Sequence, residues 1–377
     1  MTRRGDAAST PARRRRARAA VAAGLAVAAG ATLAACGSSG GTSTAGKPPA
    51  AGLISASRCA ANRAAGTITY LSGFQWTATV GTVDVAAAAA NGWYHDLCLD
   101  VSLHAGSGDP AVATSTVASG RTTITEVGGA ADAVTAAAGG VPTLAVATYG
   151  NVPIITLITM ATTTDLHQLE GQTLGYKGQM PPQITAMLDK AGVDVAKVHE
   201  VGVGYDPTIL PRGQVQALTG YKSNEVPTLK AGGFDVREWD PDAFGIGGTF
   251  NTLVANKAFA AAHPQALEDF LRTTFHAYDW CHTNLQSCLA DEAKLSTGGQ
   301  FDPTVEARRF RIESGLVDAH LLPGQGVGAE SVAQFTPEAD LLAADKLIPA
   351  VPDLSALVAP QYVAAVEHDG KVVWPAP

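Results

Sequence analysis

The chain has 377 residues, 46% hydrophobic, 16% charged and 6% aromatic, a profile that fits a globular protein of about two domains and excludes a disordered or fibrous one. No apolar run beyond the first forty residues approaches the ~20 residues that a bilayer span needs. The formal charge of -8 is unevenly spread: residues 1–35 carry seven arginines and one aspartate, which leaves -14 on the rest. So acidic a body repels phosphodiester backbones, and nucleic acid is excluded as a partner.

Arg3, Arg4, Arg13, Arg14, Arg15, Arg16 and Arg18 precede a weakly hydrophobic, Ala-rich run from Ala19 to Ala35, the charged-then-apolar order of an export signal. The run ends in Leu33-Ala34-Ala35-Cys36 and continues as Gly37-Ser38-Ser39-Gly40. This closely resembles a bacterial lipoprotein signal, which implies a signal peptide over 1–35 and acylation of Cys36 as the first mature residue. A signal cut elsewhere, or an uncleaved anchor, is the alternative. More than one acyl chain gives stable anchoring, so the expected location is the outer face of the cytoplasmic membrane. Residues 36–63, rich in Gly, Ser, Thr, Ala and Pro without period, read as a flexible tether. Gly41 to Lys47 matches G-x-x-x-x-G-K, but Pro48 replaces the magnesium-binding hydroxyl and no strand precedes it, so no nucleotide site is expected.

From Thr67 onward, short apolar runs alternate with Ala-rich amphipathic stretches, the signature of strand-helix-strand units with a mainly parallel sheet. Strands are expected at Thr67–Leu71, Leu99–His104, Thr122–Val127 and Thr143–Thr148. Helices are expected at Val83–Asn91, Asp109–Ser119, with Asp109 as cap before Pro110, and Ala130–Ala138. A second, smaller set begins at Pro153–Thr159 and runs through strands near Thr173–Tyr176, Val198–Val203 and Gln216–Thr219. Its helices fall near Pro182–Ala191, from Ile209 and from Glu225. A β-rich run at Thr252–Ala255 returns to the first unit, followed by helices at Pro264–Trp280, Pro303–Ser314 and Ala339–Lys346 and an irregular tail from Tyr362. The order predicts an α/β protein with lobe 1 over 64–152, an inserted lobe 2 over 153–250, and lobe 1 again over 251–377. Two crossings make a hinge, and the expected site is the cleft at the strands' carboxyl ends.

The candidate ligand contacts follow strand ends. Phe74-Gln75-Trp76-Thr77 offers two aromatic faces around an amide. Glu126 precedes Gly128 and Gly129, where the backbone allows close approach. Lys177 and Gln179 lead into a helix whose free N–H groups attract anions or acceptors. Glu225, after Tyr221 and Asn224, opens another helix, where its carboxylate is suited to accept two parallel N–H bonds from a heterocycle. Complementing the helix dipole is its bland alternative. Tyr205 and Phe250 are similarly placed. With Cys36 committed to lipid, Cys59, Cys98, Cys281 and Cys288 form an even set that favours disulfides in an exported chain. Three pairings are open; a local Cys281–Cys288 bridge would leave Cys59 with Cys98, and free buried thiols remain the alternative. No metal site, cofactor or catalytic residue is expected.

Several segments resemble the solute-binding proteins of ABC importers in the thiamine-pyrimidine-precursor, nitrate, sulfonate and taurine group. They are Trp76-Thr77 after the opening strand, Leu166 to Lys177, Val201 to Asp206, Gly220-Tyr221-x-x-Asn224-Glu225, and Leu253 to Phe275. The resemblance implies a type II periplasmic-binding fold and a monomeric, membrane-tethered receptor. Such a receptor hands a small aromatic heterocycle, or a small organic anion such as a sulfonate, to permease subunits. The pyrimidine-binding subgroup shows W-T-P-N and a nearby His, where this chain has Trp76-Thr77-Ala78-Thr79 and no His; the aromatic platform stays and polar contacts go. The cysteine cluster and histidine donor of the yeast-type synthases are unmatched. The competing function is an exported, hydrolase-like enzyme using the same cleft, but the chain has neither G-x-S-x-G nor H-E-x-x-H.

Overall fold

The structure, a computed structural model, describes residues 53–296 and 301–377. Ten strands build two sheets. The first holds β1 (Thr67–Leu71), β2 (Asp100–His104), β3 (Ile124–Val127) and β4 (Thr143–Gly150). The second holds β5 (Ile155–Met160), β6 (Thr173–Tyr176), β7 (His199–Gly202), β8 (Ala217–Tyr221) and β9 (Val236–Trp239). The last strand, β10 (Phe250–Asn256), returns to the first sheet. The orders are β2-β1-β3-β10-β4 and β9-β5-β8-β6-β7.

Each sheet has one strand that opposes the others. β10 pairs antiparallel with both β3 and β4, and β5 with both β8 and β9, whereas β1 pairs with β2 and β3, and β6 with β7 and β8, in parallel. These two strands follow the two crossings between lobes, at 151–154 and 240–249. A Cβ on Gly248 would lie 2.9 Å from the Pro153 ring, so the crossings run in contact and form one hinge.

Strand alternation puts apolar residues on both faces of each sheet. In lobe 2, Leu157 and Ala217 join one buried cluster, and Ile158 and Leu218 the other. In lobe 1, Leu253 and Ala255 face a cluster with the Val83–Ala90 and Pro264–Ala293 helices, while Val254 faces the Ala130–Ala138 and Val332–Ala344 helices. The long helix Pro264–Ala293 kinks at Asn284 (φ -123°), inside the span closed by the Cys281–Cys288 disulfide.

Three expectations change. The tether read through residue 63 ends earlier, because Ala56–Ala64 is a helix capped by Ser55. Composition hid this helix, since its stability comes from tertiary partners: Cys59 is bonded to Cys98, and Arg58 makes two 2.8 Å bonds to buried Asp269. The helix expected from Ile209 is a single 3-10 turn, Pro207–Ile209, and the tail contains a short helix, Gln361–Ala364, and a hairpin. Cys36 and the signal segment lie outside the described residues. Among the described residues, no helix is long and apolar enough to cross a membrane.

Candidate functional site

Strand ends of both sheets meet along a seam between the lobes. The helix Pro303–Ala319 of lobe 1 carries Glu306, Arg309 and Glu313 along one side toward it. Across the seam, Ser223 Oγ donates to Glu313 Oε1 at 2.8 Å, and Arg309 Nη2 donates to Asn224 Oδ1 at 3.0 Å. Farther along, Gln183 Nε2 of lobe 2 donates to Glu338 Oε2 of lobe 1 at 3.1 Å. At the mouth, the Phe74 and Tyr205 rings lie 6.4 Å apart. The lobes are therefore closed on each other.

A hollow of about 110 Å³ remains in the seam, lined by Gly128, Asp132 and Glu338 of lobe 1, by Gln183 and Tyr221 of lobe 2 and by Thr249 of the second crossing, among others. A larger hollow of about 640 Å³ lies between the helices Pro264–Ala293 and Pro303–Ala319, around His282 and Phe310. All its lining belongs to lobe 1, so hinge motion does not open or shut it, and the smaller hollow is the candidate site.

Side-chain carboxyl groups occupy three of the helix starts at this seam. Ahead of Val83–Ala90, Val80 N donates to Glu313 Oε2 at 3.1 Å, Gly81 N to Asp84 Oδ1 at 2.7 Å, and Thr82 Oγ1 to Glu126 Oε2 at 2.5 Å. At Ala130–Ala138, Gly128 N donates to Asp132 Oδ2 at 2.9 Å and Ala131 N to Glu338 Oε2 at 3.3 Å. At Glu225–Ala231, Tyr221 N donates to Glu225 Oε2 at 2.7 Å. Burial away from water pushes Asp84, Glu313 and Glu338 up to about 7 and Glu126 up to about 8. Asn251 completes the wall: its backbone is left-handed (φ 51°), and its amide donates to Val80 O at 2.9 Å and to Glu313 Oε2 at 3.2 Å.

Glu126, expected at the ligand, is instead buried in lobe 1, accepting from Tyr70 and Thr82; the other residues singled out from sequence fall into three groups. Phe74, Gln75, Gly128, Gln179, Tyr205 and Tyr221 are exposed, and Thr77 is half-buried; of these, Gly128 and Tyr221 line the hollow. Lys177 and Asn224 are half-buried and Glu225 is buried, but they bind one another: Glu225 Oε1 accepts from both the Lys177 ammonium and Asn224 Nδ2. The fork expected of Glu225 is thus closed from within, because Lys177, which follows β6, comes alongside the end of the neighbouring β8. Trp76 and Phe250 depart from expectation. Trp76 packs into the lobe 1 core, leaving Phe74 as the outward ring. Phe250 is fully buried over Gly150, where a Cβ would stand 1.8 Å from its ring. Phe250→Ala should cost about 3–5 kcal/mol of folding stability, read from urea denaturation. A loss below about 1 kcal/mol would contradict its core role.

Sequence reasoning missed Gln183, Asn251, Arg309, Glu313 and Glu338. The spacing of Glu306, Arg309 and Glu313 puts charges on one helix face, and that face is buried; this was the readable signal.

Two α/β lobes, each with one reversed strand after a crossing and a hollow between them at the hinge, define a type II periplasmic-binding fold. The chain belongs to the family described as NMT1/THI5 like, whose model matches residues 82–286, more than half of the chain. No curated protein sequence matches it. Among solved structures it is similar to the periplasmic aliphatic sulphonate binding protein SsuA from Escherichia coli, at 16% identity and TM-score 0.60 over 82% of this chain and 96% of that one. It is similar also to the alkanesulfonate-binding protein SsuA from Xanthomonas axonopodis pv. citri bound to MOPS, at 14% identity and TM-score 0.57 over 78% and 98%. A mutant of DSZB in complex with biphenyl-2-sulfinic acid is a further neighbour, at 11% identity and TM-score 0.52 over 79% and 97%. At such identities the likeness is one of fold.

Proposed function

We propose that this protein is the extracytoplasmic solute-binding receptor of an ABC importer, monomeric, tethered by lipid at Cys36, and closing its lobes on a small organic solute for delivery to permease subunits. The observation that carries the reading is the seam itself. Its hollow is walled by both lobes, and the hydrogen bonds Ser223–Glu313, Arg309–Asn224 and Gln183–Glu338 exist only when the lobes meet. A solute that touches both walls binds the closed form better than the open one and shifts the balance toward it. Family membership and the likeness to sulfonate-binding receptors support the same reading.

Native purification of the full chain, followed by denaturation and mass spectrometry of the released small molecules, tests the reading. One solute near one equivalent is expected; chemical conversion of that solute by the protein would replace the receptor with an enzyme. The double variant Ser223→Ala/Asn224→Ala removes two bonds special to the closed form. Each is worth about 0.5–3 kcal/mol, so the apparent affinity should fall about fivefold or more by calorimetry while the melting temperature stays nearly fixed. Unchanged affinity would mean that closure does not contribute to binding.

A further inference from the structure

We propose that the solute taken at this seam carries a positive group, an ammonium or amidinium, and that sulfonates and other organic anions are refused; the proposal rests on the receptor reading above. An anion bound by a protein of this kind needs free backbone N–H groups at helix starts or a side-chain cation. Around this seam the donors at two lobe 1 helix starts and in the turn ahead of Glu225–Ala231 are taken, as are both neighbouring cations, while the start of Pro182–Lys190 carries no side-chain bond. The N–H groups of Val80, Gly81, Ala131 and Tyr221 donate to Glu313, Asp84, Glu338 and Glu225. Arg309 is paired with Glu306 and bonded to Asn224, and Lys177 is paired with Glu225.

The acidic groups themselves are not balanced. Glu225 and Glu306 each have a cation, whereas Glu126, Asp132, Glu313 and Glu338 accept only from hydroxyl, amide or backbone donors and form no ion pair among the described residues. Asp132 and Glu338 line the hollow directly. Nearby, the fully buried Glu292 has neither oxygen hydrogen-bonded among the described residues, and Glu306 and Arg309 are the charges it feels most. Burial holds Glu313 and Glu338 at about 7 because no cation pairs with either, Arg309 easing Glu313 only from a distance. A solute cation would supply the missing charge.

The lobe 2 wall already shows the arrangement such a group would find. The Lys177 ammonium sits on the Glu225 carboxylate and 5.9 Å from the centre of the Tyr205 ring, a carboxylate and an aromatic face together. The exposed Tyr221 ring presents a further aromatic face at the hollow.

Calorimetric titration of the full chain with three probes of one shape decides the matter: benzylamine, benzyl alcohol and phenylmethanesulfonate. Benzylamine should bind at least about tenfold tighter than the alcohol, and the sulfonate should give no saturable heat. Glu338→Gln and Glu313→Gln, each checked for folding by its melting curve, should narrow the gap between amine and alcohol several-fold. Equal binding of amine and alcohol, or tighter binding of the sulfonate, overturns the proposal while leaving the receptor reading intact. If none of the three saturates, the charge of the solute released from natively purified protein decides: a cation upholds the proposal, and a neutral molecule or an anion overturns it. If no solute is released either, the receptor reading falls and takes the proposal with it.

Discussion

Thermal stability should fall steadily as pH rises from about 5 to 8, the reverse of a protein held by ion pairs. Buried carboxyl groups set this behaviour. Asp84, Glu313 and Glu338 lie at about 7, and Glu126 and Glu330 at about 8, in every case because burial disfavours the charged form. The same groups ionise near 4 in the unfolded chain. Their contribution is therefore fully present below about pH 4 and is withdrawn as pH climbs toward the folded values. Each group withdraws up to about 1.4 kcal/mol per pH unit in that window. Hydrogen bonds from Thr82 and Tyr70 to Glu126, and from Tyr149 to Asp84, soften the loss without cancelling it. A melting series across this range checks the sign; a flat or rising curve would contradict it. Glu126→Gln keeps the shape of the neutral acid and should flatten the upper end of the curve.

Replacing Cys59 and Cys98 together by serine should lower stability by about 2–4 kcal/mol. The bond closes a loop of sequence separation 39, and the chain-entropy argument puts the upper figure near 4 kcal/mol. The helix Ala56–Ala64 should respond most. Its remaining polar ties are Arg58 on Asp269 and Glu268 and Asn62 on Asp269 and the Leu97 carbonyl, so its amides should exchange faster than those of β1 in hydrogen-exchange measurements. A change below about 0.5 kcal/mol would show that these polar ties alone hold the helix.

Much of the fold was legible because period and punctuation coincide in this chain. Asp109 before Pro110 caps its helix with bonds to Ala111 N and Val112 N, and the β-branched run at Ile155–Met160 is the strand that opens lobe 2. The reversed strand in each sheet was not legible, since alternation carries no direction. The seam was legible only in part. Loops after strands named the right neighbourhood, including Gly128, Tyr221 and Asn224. A strand end, however, cannot say whether a side chain turns outward, as Phe74 does, or inward, as Trp76 and Phe250 do. Glu313 and Glu338 lie some ninety or more residues beyond the Ser223 and Gln183 groups that they meet, and no local pattern announces such partners. Glu225 shows the same limit: its dipole-complementing alternative fits a carboxylate bound to its own loop and to Lys177 better than an open fork does.

The helix Ala56–Ala64 also assigns unequal mechanical roles to the lobes. Through Cys98 and Asp269 it is bolted to lobe 1 by one covalent and several polar fastenings. Whatever restrains the chain upstream therefore pulls on lobe 1 alone, and lobe 2 hangs from it by the paired crossings at Pro153 and Gly248. Lobe 1 is the door frame and lobe 2 the door, so a docking apparatus that senses the swing would read the displacement of lobe 2 against a stationary jamb.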